Sequence, residues 1–173
     1  MEKNNRIIGR IEECERLDRC MRSDSSQLVV VYGRRRVGKT FLINEYFNYK
    51  FAFKLTGVYG EKRKIQLRNF ALELNRRSGV KQEDPKDWTE AFSYLRSYME
   101  SLDSSVKQVV FLDELPWLDS KRSGFLSAFE YFWNDYASTK HNFIFVLCGS
   151  ATSWMEEKIT KNKGGLFNRQ TCR

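Results

Sequence analysis

The sequence predicts a three-layer α/β domain, a mainly parallel sheet covered by helices on both sides. Three observations carry that expectation. Four short apolar or β-branched runs recur along the chain, and three of them are apolar throughout, as strands buried on both faces are. Segments with helical apolar spacing separate them, so strand and helix alternate as parallel crossovers require. The turn after the first run, GRRRVGKT (33–40), has the spacing that carries a strand into a helix.

Each element follows from its own pattern. Residues 10–22 place Ile11, Cys14, Leu17 and Met21 on one helical face, and SDSSQ (23–27) is a polar loop. Leu28 to Tyr32 is the first strand. Thr40 to Phe47 reads as a helix that packs Phe41, Leu42 or Ile43, and Phe47. KFAFKLTG (50–57) alternates up to a glycine and predicts a second strand. Residues 61–79 are helical and stop at Gly79. In 88–102, Trp88, Ala91, Phe92, Leu95, Tyr98, Met99 and Leu102 give the cleanest amphipathic helix of the chain. Val109 to Leu112 is the third strand. Residues 124–136 carry Phe125, Leu126, Phe129, Phe132, Trp133 and Tyr136 at helical spacing. That stripe suits core packing, and the competing reading is a base-stacking platform. Phe143 to Cys148 is the fourth strand.

A chain of 173 residues with 41% apolar and 30% charged content supports one domain with a hydrophobic core, spanning 1–173. No run approaches the roughly 20 apolar residues of a membrane span. MEKNNRIIGR at the N-terminus lacks the apolar stretch of a secretory signal, so the expected location is the cytoplasm, without a membrane partner. The net charge of +8 admits two readings, a polyanionic ligand or a solvated basic surface. Four cysteines without a C-x-x-C pair, and a single histidine, His141, argue against a zinc site and a His-based triad.

Chemistry concentrates at three strand ends. GRRRVGKT satisfies G-x-x-x-x-G-K-[ST], so Gly33, Arg34, Arg35, Arg36, Val37, Gly38, Lys39, Thr40 and Phe41 form the candidate nucleotide-binding segment. Its glycines let successive N–H groups turn inward toward phosphate oxygens, and the following helix aims its positive end there. Lys39 can reach the β- and γ-phosphates, and the Thr40 hydroxyl can ligate Mg2+. The third strand ends in Asp113 and Glu114. Asp113 is the candidate second metal residue, and Glu114 the group that orients and deprotonates an attacking water. Acidic residues also end many strands without such roles. The fourth strand ends in Ser150, Thr152 and Ser153. Ser150 is a candidate for sensing the γ-phosphate or the water, alongside Lys39 and Glu114, and the competing reading is a helix cap.

With GRRRVGKT, FLDELPW and CGSATSWM in this order, the chain resembles the archaeal-type ATPase family, a STAND/AAA-plus-like branch of the P-loop NTPases. The resemblance extends over nearly the whole chain, including Ile7-Ile8-Gly9-Arg10 followed by Glu12 and Glu13. It implies a P-loop NTPase core with sheet order 5-1-4-3-2. It also implies that Ile7 and Ile8 lie near adenine, and that Gly9 and Arg10 form the entry loop. Arg169 aligns with the arginine of a family signature, although Asn168 stands where glycine is usual.

The expected function is then an ATP-binding, Mg2+-dependent ATPase that cleaves the β–γ bond. One alternative is a nucleotide-dependent regulatory switch with little hydrolysis, and another is a basic DNA-associated module. ATP and ADP are the expected ligands, with a protein partner, a homo-oligomer or nucleic acid left open. Members of the family continue into a fifth strand and further domains, so a shortened product is expected. That would leave the first strand as an open edge.

Overall fold

The computed structural model describes residues 6–160. Arg169 and its neighbours lie outside them. The described chain runs α1 (Ile11–Arg22), β1 (Gln27–Tyr32), α2 (Lys39–Tyr46), β2 (Phe53–Thr56), α3 (Arg63–Ser78), α4 (Trp88–Glu100), β3 (Gln108–Asp113), α5 (Leu115–Leu118), α6 (Phe125–Asp135), β4 (Phe143–Gly149) and α7 (Thr152–Met155). The four strands form one parallel sheet in the order β1-β4-β3-β2, which is the expected order 1-4-3-2 of the core strands.

Because side chains alternate across a strand, each strand feeds two cores. Along β4, Phe143, Phe145 and Leu147 join the cluster under α3, α4 and α6. Ile144, Val146 and Cys148 join the opposite cluster with Leu17 and Cys20 of α1 and Ile43 and Tyr46 of α2. Continuous apolar strands are thus the direct consequence of a sheet covered twice. Among the described residues no helix is long and apolar enough to cross a membrane.

The helices start and stop where the sequence supplies chemistry. At the head of α4, the Asp87 side chain accepts the Glu90 N–H at 2.9 Å and the Glu90 carboxylate accepts the Lys86 N–H at 2.6 Å, a reciprocal cap. The Gly79 N–H donates to the Asn75 carbonyl and closes α3. The stripe on 124–136 is core: Phe125, Phe129, Phe132 and Trp133 are buried, so it offers no stacking platform. Its rings interlock with Phe92, whose centroid lies 5.2 to 6.1 Å from those of Phe70, Trp88, Phe125, Phe129 and Phe132.

Three expectations need correction. Ile11 is 72% exposed, and α1 packs instead through Leu17 and Cys20, with Cys14 and Met21 half-buried. Phe41 is 49% exposed, while Leu42, Ile43, Tyr46 and Phe47 carry the packing of α2. Thr40 causes this: it faces Asp113, and rotating one residue onward turns Phe41 by about 100° toward the surface. The second strand is shorter than 50–57, because Asn48 and Tyr49 take left-handed backbone angles (φ 49° and 57°) and only Phe53–Thr56 pair with β3.

Phe92→Ala should cost about 3–5 kcal/mol of unfolding free energy, since it removes the hub of the ring cluster. Tyr131→Ala, at a 64% exposed position of the same layer, should stay within about 0.5 kcal/mol. Urea unfolding of the two variants measures both.

Candidate functional site

Strand register gathers the site. Tyr32 of β1 pairs with Gly149 of β4, Leu112 of β3 with Leu147 of β4, and Thr56 of β2 with Asp113. All four strands therefore end along one rim, and the segments leaving it are 33–38, Ser150, Glu114 and Gly57. Ligands of open parallel sheets sit at this carboxyl edge.

The 33–38 turn leaves β1 with positive φ at Gly33 (151°), Arg36 (64°) and Gly38 (81°). A Cβ at Gly33 or Gly38 would meet nothing within 4 Å, so the backbone angle rather than crowding calls for glycine. Right- and left-handed residues in succession curl a chain so that neighbouring N–H groups converge, which makes an anion-binding concavity. Helix α2 starts at Lys39 and adds the positive end of its dipole. The Lys39 ammonium donates to the carbonyls of Gly33 (3.0 Å) and Arg34 (2.8 Å), which hold it at the mouth of the turn.

The Thr40 hydroxyl donates to Asp113 Oδ2 at 2.9 Å. Asp113 is 4% exposed, and its other oxygen accepts the Glu114 N–H at 3.0 Å. Cys148, on the adjacent strand β4, is its neighbour. Burial pushes the Cys148 thiol well above the ordinary range, and the Asp113 charge and hydrogen bond push it further. Two hard oxygens, a hydroxyl and a buried carboxylate, suit a hard divalent cation. Among the described residues, no group of three or more His, Cys, Asp or Glu could hold a metal. A cation here would complete its shell with oxygens from its ligand or from water, as Mg2+ habitually does.

Glu114 adopts φ 48° and ψ 49°, a left-handed conformation that a non-glycine residue takes at a cost of about 1–2 kcal/mol. Its carboxylate accepts the Ser150 hydroxyl at 2.9 Å. Arg35 Nε lies 3.4 Å from the same hydroxyl, and the guanidinium stacks 5.7 Å from the centre of the Trp117 ring. Arg35, Arg36, Gly38, Lys39, Thr40, Phe41, Glu114, Trp117 and Ser150 line one cleft of about 380 Å³. Phe41, lost to the core, therefore belongs to the rim of this cleft.

A second cleft of about 320 Å³ lies between α1 and β1, lined in part by Arg10, Glu13, Leu17, Val37, Lys39 and Leu42. Arg10 ties its wall together by donating to Glu13 and to the Val37 carbonyl. Gly33 and Arg34 line neither cleft: their carbonyls hold the Lys39 ammonium, and Arg34 is exposed. Ile8 is 88% exposed, and neither Ile8 nor Gly9 lines either cleft. Two participants escaped the sequence reading. Trp117 stands in the FLDELPW segment without a role of its own in the pattern, and Cys148 has the pattern of another strand residue.

Residues 8–172 match the family described as an ATPase domain predominantly from Archaea. The chain belongs to that family. An uncharacterized protein of Methanocaldococcus jannaschii is 25% identical over 165 residues, which cover 95% of this chain and 34% of that protein. An uncharacterized ATP-binding protein of the same organism is 44% identical over 44 residues, 25% of this chain and 75% of that one. The fold is similar to a Walker-type ATPase of Pyrococcus abyssi (TM-score 0.65, 21% identity, 96% of this chain and 53% of the other). It is also similar to Cdc6p from Pyrobaculum aerophilum (TM-score 0.66, 14% identity, 97% and 46%). The chain thus spans about a third of the first relative and about half of each solved chain. Family and fold are those of a P-loop ATPase, a nucleotide-binding class.

Alkylation tests the packing of β4 against Asp113. With iodoacetamide on native protein near pH 8, peptide mapping should find half-buried Cys14 modified and Cys20 and Cys148 protected. A modified Cys148 in the folded chain would contradict this packing.

Proposed function

We propose that the chain binds ATP with Mg2+ at the rim of the sheet and hydrolyses the β–γ phosphate bond. The observation that carries this reading is the meeting of three separate segments. Arg35, Arg36, Gly38, Lys39 and Thr40 of the turn and the Glu114–Ser150 pair stand around one cleft, and the buried Asp113 lies beneath it in direct contact with Thr40.

Each group then has a task set by its chemistry. Amides of the turn and the dipole of α2 bind the β- and γ-phosphates, and Lys39 exchanges its carbonyl partners for phosphate oxygens. Thr40 and Asp113 hold Mg2+, which when bound neutralises charge on the polyphosphate. Arg35 and Arg36 add positive charge at the cleft wall. Glu114 accepts a proton from the attacking water, whose oxygen bonds to the γ-phosphorus while the bond to the bridging oxygen breaks. Ser150 donates to Glu114 and fixes the direction of the carboxylate. The nucleoside lies in the neighbouring cleft between α1 and β1, beside Arg10 and Val37. Adenine over guanine follows from the family, since no N-K-x-D segment occurs in the chain.

Two variants separate binding from chemistry. Lys39→Ala should abolish ATP binding in titration calorimetry. Glu114→Gln should bind ATP within about threefold of wild type and lose phosphate release by about 100-fold or more, in line with removal of a general base. Wild-type binding without any phosphate release would identify the regulatory switch instead. No heat with Mg-ATP or Mg-ADP would defeat both readings. Retention on DNA that survives Lys39→Ala would favour the basic DNA-associated module.

A further inference from the structure

We propose that Gln66 is a positioning residue that holds the turn carrying Glu114 in its left-handed conformation. The inference rests on the reading of Glu114 given above for its effect on turnover, and on the geometry alone for its effect on the turn.

Gln66 lies in α3 in phase with Phe70 and Leu74, on the face that packs against the sheet. It is completely buried, at 0% exposure, where an apolar side chain would be expected. An amide retained there must spend its hydrogen bonds inside the protein. Its Oε1 accepts the Val58 N–H at 3.1 Å, and its Nε2 donates to the Val58 carbonyl (2.7 Å) and the Trp117 carbonyl (3.3 Å). One side chain thereby joins the loop between β2 and α3 to the short helix that follows Glu114.

Two further contacts reinforce the junction. The Gly57 N–H donates to the Asp113 carbonyl at 2.9 Å, and a Cβ at Gly57 would stand 2.6 Å from the Glu114 carbonyl oxygen. The Tyr59 ring meets the Trp117 ring edge-on, with centroids 5.6 Å apart. Helix α5 has only four residues, so it supplies little stability of its own. A non-glycine residue persists in the left-handed region only where its surroundings hold it. Gln66 and Gly57 are those surroundings, and they act through the backbone on both sides of Glu114.

Leucine at position 66 would keep the bulk and remove the bonds, leaving the Val58 N–H and the Trp117 carbonyl without this partner and the Val58 carbonyl with the Glu61 N–H at 3.3 Å. The turn would then relax, and the Glu114 carboxylate would lose its aim at the water. The 33–40 turn resides on other elements, and Asp113 is held by its pairing at the end of β3, so nucleotide affinity should survive.

Hydrogen exchange and turnover on Gln66→Leu test this together. Exchange in 113–118 and in 57–60 should accelerate at least tenfold, with 27–46 unchanged. Phosphate release should fall at least tenfold while ATP affinity stays within twofold. In a Glu114→Gln background, Gln66→Leu should produce no further loss of release. Unchanged exchange in 113–118 would overturn the inference, and so would an equal loss of affinity and turnover. If wild type binds ATP without releasing phosphate, the hydrolytic reading fails, and the exchange pattern still decides the role of Gln66. If Gln66→Leu does not fold, Gly57→Ala reaches the same turn from the other side. It should give the same accelerated exchange, and wild-type exchange there would equally overturn the inference.

Discussion

Thr40 and Asp113 are 73 positions apart in sequence and touch at 2.9 Å. They meet because β4 is inserted between β1 and β3, and all three strands stop in register. A one-residue slip between β3 and β4 would turn Asp113 to the opposite face of the sheet and bury Glu114 in its place. The apolar alternation into two cores forbids that slip, since it would exchange every contact of Val110 and Phe111 as well. Positioning of the site is therefore a consequence of packing. The hydrophobic layers fix the register, and the register brings a hydroxyl and a buried carboxylate together.

A cluster of three arginines and a lysine on one turn carries a repulsive cost, and the structure spreads it out. Lys39 turns inward onto two carbonyls, while Arg35 lies across Trp117 and reaches Ser150. Arg34 stays in solvent, where water screens it, and Arg36 stands exposed on the cleft wall. The strain at Glu114 follows the same logic. It is local, it sits on a four-residue helix, and it is held from outside by contacts from the neighbouring strand and helix. Rigid packing beneath the rim and held strain upon it together let short segments aim charged groups at one point.

Much of this was legible in the sequence. Strands buried on both faces read as unbroken apolar runs, and the glycine spacing of 33–40 has few other uses. Those signals are local, so they survive without knowledge of the fold. What could not be read depends on contacts between distant segments. Phe41 has the pattern of a core residue, and only the Thr40–Asp113 contact shows why α2 turns it outward. Ile11 lies at the margin of the face it shares with Cys14 and Leu17, and packing of α1 through Leu17 and Cys20 turns it outward. Gln66 did leave a trace, a polar residue in phase with Phe70 and Leu74, but its partners at Val58 and Trp117 are apparent only once β2 and β3 are paired. Trp117 acquires meaning from Arg35, 82 residues away, through a contact that no spacing rule anticipates.

The central claim is that the amides at 33–40, with Lys39, form a polyphosphate cradle opposite Asp113. Thermal unfolding with and without Mg-ADP tests it most directly, because a ligand bound only by the native state must stabilise that state. At about 100-fold above its dissociation constant, ADP should add about 2.7 kcal/mol. That corresponds to a rise of roughly 5–10 °C in the midpoint for a chain of this size. The same addition should leave Lys39→Ala unmoved. A wild-type midpoint that does not rise at millimolar Mg-ADP, or one that rises equally in Lys39→Ala, would contradict the claim.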